Sequence, residues 1–479
     1  MSRPSPSPVR AFLFVALPAG LALLVLTPPF QVPDESSHLF RAFQIAEGGF
    51  RAGSNGGQPG GSLPVSLADA ATAFPPNLAP LGRRELFARV KQGLEAPLAP
   101  DERRFLPFPS AAYSPVPYLP AAAALAAGRA ASWSPVALLY AGRLATLLAA
   151  TLLHLLSLKV APAFRWPLVL LALTPMAAFL RSGLSPDGVT NGLAFLFFAL
   201  LLRLSAEDGN PPPGRLAALV LATSAALALC KGYGILLPLL LLVPVRSRAG
   251  RRLGWAAVLV GTAAAAGWSL ANRALPVPSR LDVPVDTAAQ LRTLLSNPGR
   301  FLASLAAELL GRGAPHAREL FGQLGWLDVR LPAALLVLLA GALAVLALAD
   351  GTAGLRLAPR WRLGVLAILG AGVLTIFGAM YVLHTPPGAR GIEGIQGRYF
   401  IPFTPAAFFL LVSRRPRLDL SERGAARIAL LAALLGLVGA IWSLEARFFA
   451  PAPVPAAARL LQFGPCPPFP PSPISSTSF

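Results

Sequence analysis

Basic residues fall on alternate connections between long apolar stretches, and no other feature constrains this chain as much. The apolar stretches lie at 11–27, 136–158, 166–181, 188–204, 216–230, 232–245, 253–271, 331–349, 363–383, 400–413 and 424–444. Their lengths approach the roughly 20 residues that carry a helix across hydrocarbon. Charged residues make up only 13% of the chain, too few for the surface of an ordinary soluble protein of this length. The pattern predicts an all-α polytopic membrane protein with about 11 transmembrane helices.

Basic residues sort to the cytoplasmic side of a bilayer. With the N-terminus placed in the cytoplasm, the inner connections carry Lys159, Arg165, Arg203, Arg215, Arg246, Arg248, Arg251, Arg252, Arg356, Arg360, Arg362, Arg414, Arg415, Arg417, Arg423 and Arg427. The short outer connections carry only Arg181, Lys231, Arg390 and Arg398. This predicts a multi-pass protein of the inner or plasma membrane, N-terminus cytoplasmic and C-terminus outside. The net charge of +20 would suggest nucleic acid in a soluble protein. Here it is a topology signal without any basic block of interleaved aromatics, so the expected partners are membrane lipids and not nucleic acid. Arg3 and Arg10 precede the run Ala11 to Thr27 as in a signal peptide, but Pro28-Pro29-Phe30 follows instead of a small-residue cleavage site. We read an uncleaved first span. Cys230 and Cys466 have no metal-binding spacing.

The multi-span unit covers 1–445 and contains two long outer connections. The first, 28–135, has a Gly-rich middle from Gly53 to Gly61 that reads as flexible linker. The second, 272–330, holds an amphipathic pattern from Ala288 to Leu310, expected to lie at the interface with a bend at Pro298. Residues 446–479 form a Pro-rich tail expected to be disordered. Two segments admit two readings. The stretch 116–131 is short and Pro-flanked, and reads as juxtamembrane or re-entrant, with spanning as the alternative. The stretch 216–243 reads as a hairpin turning at Lys231-Gly232-Tyr233-Gly234, or as one kinked helix.

With the basic connections inside, the unusual polar groups gather outside. Asp34, His38 and Arg41 are spaced i, i+4 and i+7 behind Pro33, on one helix face just beyond the first span. A carboxylate there suits a general base or, with Glu35, a divalent metal ion; the competing reading is a capped helix whose charges pair with one another. Asp187 opens a later span, with Asn191 one turn further in; capping and function are both open for it. Lys231 stands between two short helices, where a cation usually faces a polar partner or a phosphate. Arg398, in Gln396-Gly397-Arg398-Tyr399, offers a fork suited to phosphate. Asp328 follows Gly325-Trp326-Leu327 as a cap or a second carboxylate, and Trp326 reads as an interfacial anchor. His154 and His316 are isolated and read as structural; His384 lies at the outer end of a span.

Four motifs taken in order are Pro33-Asp34-Glu35-x-x-His38-x-x-Arg41, Ser185-x-Asp187-x-x-x-Asn191, Gly325-Trp326-Leu327-Asp328 and Gln396-Gly397-Arg398-Tyr399-Phe400. Together they resemble a bacterial family of predicted integral membrane proteins of unknown function, over roughly 10–445. That family looks like part of the GT-C glycosyltransferase superfamily. The resemblance implies a GT-C-like fold with juxtamembrane helices in a large first outer loop, and a polyprenyl-phosphate-linked sugar as donor. It implies Asp34 as catalytic base or metal-binding acid. Asp187 then matches the acid at the outer start of a core span, and Lys231-Gly232 a turn between two spans.

The reading that joins these observations is a membrane glycosyltransferase at the outer face, moving a sugar with inversion to a cell-envelope glycan or lipid acceptor. Asp34, Glu35, His38 and Asp187 are its candidate catalytic groups. Arg41, Asn191, Lys231, Asp328, Gln396, Arg398 and Tyr399 are its candidate substrate-binding groups. The rivals are a transporter or flippase for lipid-linked or polar solutes, which calls for ionisable groups deep in the spans and an internal repeat, and a non-enzymatic envelope assembly protein.

Overall fold

The computed structural model describes residues 6–450, apart from 77, 207–209, 243, 246, 277–284, 351–358, 390 and 413–416. Arg246, Arg356, Arg390, Arg414, Arg415, Cys466 and the tail beyond 450 therefore lie outside the described residues. Helix α1 (Pro8–Leu26) leads into the first long connection. That connection carries α2 (Glu35–Ala46), a sheet of β1 (Gly53–Asn55), β2 (Gln58–Pro64) and β3 (Arg103–Pro107), helices α3 (Val65–Ala73) and α4 (Arg83–Glu95) between β2 and β3, and α5 (Leu119–Ala130). The bundle continues with α6 (Pro135–Val160), α7 (Arg165–Ala172), α8 (Pro175–Ser182), α9 (Pro186–Ala206), α10 (Gly214–Ala228), α11 (Leu239–Leu242) and α12 (Arg248–Ala271). The second connection holds α13 (Thr287–Ser296), α14 (Pro298–Gly322) and the short pair β4 (Gln323–Leu324) and β5 (Val329–Arg330). Then follow α15 (Ala333–Ala349), α16 (Pro359–Leu383), α17 (Thr404–Ala407) and α18 (Glu422–Phe448).

Among the described residues six helices are long and apolar enough to cross a membrane: α1, α6, α9, α12, α16 and α18. Helices α10 and α15 are apolar but shorter. Helix α9 lies at the centre, with 89% of its apolar window buried. Small residues bring its neighbours close: a Cβ on Gly192 would lie 2.7 Å from Leu153 of α6, and one on Gly20 of α1 would lie 2.5 Å from Leu147.

Three expected spans are not single helices. The stretch 166–181 breaks into α7 and α8, because Thr174 is extended and Pro175 starts a new helix. The stretch 232–245 is a 3-10 turn, Tyr233–Leu236, followed by the four residues of α11. The stretch 400–413 runs through 3-10 turns, Gly397–Phe403 and Phe408–Leu411, on either side of α17; Pro402 and Pro405 each lack the amide donor an α-helix needs. Irregular backbone is tolerated at membrane depth only where protein covers it. Ile401, Phe403, Ala406, Phe408 and Phe409 are accordingly buried.

Two further expectations are settled by packing. Gly250, near the start of α12, lies against both Pro212 and Val245, while Gly261, further along, lies against both Ser224 and Leu237. The chain therefore runs up α10 beside α12 and returns, so the described part of this stretch, 216–242, is a hairpin, turning at Lys231 and Gly232, both with positive φ. The Gly-rich segment 53–61 is not a linker. It is the β1–β2 hairpin, with Gly56 and Gly57 at φ 55° and 74°, the left-handed pair that a two-residue turn requires. The amphipathic stripe also splits. Phe301 and Leu305 turn inward onto Phe377 and Tyr381 of α16, while Leu295, Leu302 and Leu310 stay exposed. The bend at Pro298 is the α13–α14 break.

One buried ion pair joins the corner of the bundle. Glu35, first residue of α2, and Arg143 of α6 are both fully inaccessible and pair bidentately, at 2.8 and 2.7 Å. Arg143 also donates to the carbonyls of Leu24, Thr27 and Pro28, closing the end of α1. Glu35 Oε1 accepts the amide of Leu184, just before α9. Trp326 donates to the Phe30 carbonyl at 3.2 Å and so fastens the β4–β5 turn to the same corner.

Removing one partner of such a pair strands a buried charge, at a cost of about 3–5 kcal/mol. Glu35→Ala and Arg143→Ala should each lower the melting temperature in detergent sharply. The double variant Glu35→Ala with Arg143→Ala should fall by clearly less than the two single losses added. Additive losses would mean the pair is not coupled.

Candidate active site

Asp34 is held at φ 61°, a left-handed conformation an L-residue adopts at some cost. It sits where an N-cap belongs, but its side chain makes no capping bond. Its carboxylate, half exposed, accepts from Arg398 Nη2 at 3.3 Å. Asp187 likewise does not cap α9: Ser185 Oγ takes the Asp187 amide at 3.2 Å. The Asp187 carboxylate instead pairs with Lys231 Nζ at 2.5 Å and lies 4.0 Å from Arg398 Nε. The simple capping reading is thus excluded for both acids. Lys231 also has φ 43° and projects over the Tyr113 ring, 5.4 Å from its centroid.

Asp34, Asp187, Lys231 and Arg398 therefore form one chain of alternating charge. Buried charges persist only when paired, and Lys231, Asp187 and Arg398 are mostly covered while Asp34 opens outward. Among the described residues Arg398 Nε has no hydrogen-bond partner, and neither has Asn191 Nδ2, one turn into α9 on the Asp187 face. Tyr399 lies beneath the Arg398 guanidinium, and its carbonyl accepts from Tyr233 at 2.9 Å. Gln396 starts the same turn, with its Oε1 buried and unbonded.

His38 is buried and shares a 2.8 Å hydrogen bond with Tyr118 through Nδ1. Burial first, then the Lys231 charge, lowers its pKa to about 3 against the opposing pull of Asp34 and Asp187. It is a neutral imidazole facing the charge chain.

Other expected members stand elsewhere. Glu35 turns away from Asp34 into its pair with Arg143, so the two acids form no chelate. Among the described residues no group of three or more His, Cys, Asp or Glu side chains suits a metal ion. With Glu35 paired to Arg143 and with Asp34 and Asp187 each facing a cation, the donor set does not suit a divalent metal ion. Arg41 is fully buried and donates to the carbonyls of Tyr113 and Phe50 and to Gln44, which fastens the loop instead of reaching the carboxylates. Asp328 accepts from Arg447 Nε at 2.7 Å through Oδ2, and so braces α18 against the β4–β5 turn. Trp326 is partly exposed and donates its Nε1 hydrogen to the Phe30 carbonyl. His384 bonds its amide to Met380 at the end of α16.

The sequence reading missed several groups. Arg143 was legible as a cation well inside an apolar stretch, a position that is costly unless partnered. Arg181 is fully buried rather than at an exposed connection, and donates to the Ala172 carbonyl. His316 is not isolated: it bridges two buried carboxylates, Glu319 and Glu308, at 3.2 and 3.1 Å. Tyr113, Tyr118 and Tyr233 gave no local signal.

A family model described as predicted membrane protein (DUF2142) matches residues 17–407. The chain belongs to the DUF2142 family. Searches of curated proteins and of solved structures found no match. The matched region of this DUF2142 protein includes all four residues of the charge chain, and its several apolar helices fit a multi-pass membrane protein.

The low His38 pKa has a signed consequence. Between the ordinary 6.5 and about 3 the unfolded chain binds a proton that the folded chain refuses. Stability is therefore lost as pH falls through that window. The melting temperature should drop by a few degrees between pH about 6.5 and about 5, where histidines are the side chains that change charge. His38→Asn should make that drop smaller; an unchanged pH profile would place the His38 ring in water.

Proposed function

We propose that this protein is a membrane glycosyltransferase, moving a sugar from a polyprenyl-phosphate-linked donor to a cell-envelope acceptor at the outer face, with inversion. The observation that carries the reading is the convergence of two acids and two cations at one end of the bundle, beside backbone of unusual geometry. Helix ends with Lys159, Arg203 and Arg248 lie at the far ends of α6, α9 and α12, the arrangement expected if those ends are cytoplasmic.

The donor phosphate needs cations, and Arg398 and Lys231 supply them. The phosphate competes with Asp34 for Arg398. As Arg398 swings its charge to the donor, the Asp34 carboxylate is released, and it is the most exposed member of the chain. Asp34 then takes the proton of an acceptor hydroxyl. That oxygen attacks the anomeric carbon, the bond from that carbon to the phosphate oxygen breaks, and the phosphate leaves with the electron pair, held by Arg398 and Lys231. Asp187 keeps Lys231 in place throughout. Neutral His38 orients polar groups beside Asp34.

Asp34→Asn is a clean test, because asparagine tolerates the left-handed backbone. It should lower transfer of sugar to the envelope acceptor by at least about 100-fold, the usual reach of general-base catalysis, at normal expression. Arg398→Ala should lower it comparably. Persistent transfer in both variants would end the reading. Thiol labelling decides the side: Ser54→Cys should react from outside the cell and Asp419→Cys should not. The transporter reading gains interest from buried Arg143 and Arg181. It predicts movement of the lipid-linked sugar in liposomes without acceptor, and wild-type rates for Asp34→Asn.

A further inference from the structure

Helix α14 carries three buried ionisable side chains on the face it turns to the bundle: Glu308, His316 and Glu319, exposed by 6%, 7% and 2%. They form a line. Glu308 Oε1 meets His316 Nε2 at 3.1 Å, His316 Nδ1 meets Glu319 Oε2 at 3.2 Å, and Glu319 Oε2 accepts the Gly397 amide at 2.6 Å. Gly397 lies so close that a Cβ there would stand 2.0 Å from the His316 carbonyl oxygen. The next residue is Arg398. A line of hydrogen bonds buried in α14 therefore ends one residue from the guanidinium that reaches both Asp34 and Asp187.

We propose that Glu319, oriented by His316 and Glu308, is a positioning residue that sets where Arg398 stands against Asp34 and Asp187. What Arg398 does there rests on the glycosyltransferase reading; where it stands does not. Burying two carboxylates beside one imidazole is costly unless all of their hydrogen bonds are made. The return for that cost is a fixed amide at Gly397, in a segment whose 3-10 backbone lacks the regular bonding of an α-helix. Packing supports the same anchor, since Phe377 of α16 stands edge-on to His316 and stacks on Phe400.

The line is also pH-graded. The charged groups acting on His316 are Glu319 first and then Glu308, and they raise its pKa. Arg312 approaches Glu308 at 3.6 Å, and α16 offers the Phe377 ring. A protonated imidazole donates to both carboxylates; a neutral one donates to one and turns a lone pair on the other. The bracing is complete below the ordinary histidine pKa and fades as pH rises through the raised value.

The test uses full-length protein in detergent with Asp34→Cys, whose introduced thiol reports a nearby guanidinium by a lowered pKa. Peptide-resolved alkylation against pH reads that pKa at position 34. Arg398→Ala, the control, should cut thiolate reactivity near neutral pH about tenfold. Glu319→Ala should do nearly the same. Glu319→Gln, whose carboxamide oxygen still accepts from Gly397, should restore most of it, and His316→Gln should give a smaller loss. No change with Glu319→Ala, while Arg398→Ala acts, overturns the proposal; so does no change with either. Binding of polyprenyl phosphate to otherwise wild-type protein is measured in parallel. If Glu319→Ala shifts the thiol and the wild type binds no polyprenyl phosphate, the positioning role stands and the donor reading fails.

Discussion

Glu35 and Arg143 make the contact on which the rest of this architecture depends. Each is a charge removed wholly from water, so neither is tolerable without the other. The pair does more than cancel. Arg143 gathers three carbonyls at the end of α1, and Glu35 takes the amide that precedes α9. The residue beside Asp34 is thereby bonded to a residue three positions before Asp187. Two acids from distant parts of the chain are set a fixed distance apart by a contact that contains neither of them. The positive φ at Asp34 follows from the same constraint: Glu35 must enter the bundle while its neighbour faces out.

From that frame the proposed chemistry is a matter of competition for charge. Four alternating charges satisfy one another in the resting protein, which keeps Arg398 and Lys231 stable in poorly hydrated surroundings. In the proposed reaction an anionic donor enters by displacing a carboxylate from a cation. Of the two carboxylates, Asp34 is the more exposed and the more weakly held, at 3.3 Å against 2.5 Å for Asp187 with Lys231. In the proposed reaction the two acids divide by geometry: Asp187 anchors and Asp34 reacts. The line from Glu308 to Gly397, as proposed, positions the cation over which that exchange would take place.

Much of this was legible before any coordinates. Eight of the eleven apolar stretches fall on single helices, because hydrophobicity and length select them, and six of those helices are long and apolar enough to cross a membrane. Proline content shows in retrospect why 400–413 is a string of short turns. The polar groups at helix ends stood out for the same reason, since a charge in an apolar chain needs an explanation. What local sequence cannot reveal is pairing at long range. Asp34 and Glu35 are adjacent acids, and nothing near them says that one meets Arg143 and the other Arg398. Asp328 looked like a site carboxylate until its partner proved to be Arg447, more than a hundred residues on. His316 looked solitary because one partner, Glu308, lies about two turns back in the segment read as interfacial, and the other, Glu319, one turn ahead. The Gly-rich segment misled for a different reason: the same composition serves a flexible linker and a tight hairpin, and the strand it pairs with, β3, comes from beyond two helices.

The measurement closest to the central claim is the affinity of purified protein for polyprenyl phosphate, wild type against Asp34→Asn. If donor phosphate and Asp34 compete for Arg398, removing the carboxylate's charge should tighten binding several-fold even as transfer is lost. Weaker binding in the variant, or none in the wild type, would contradict the account.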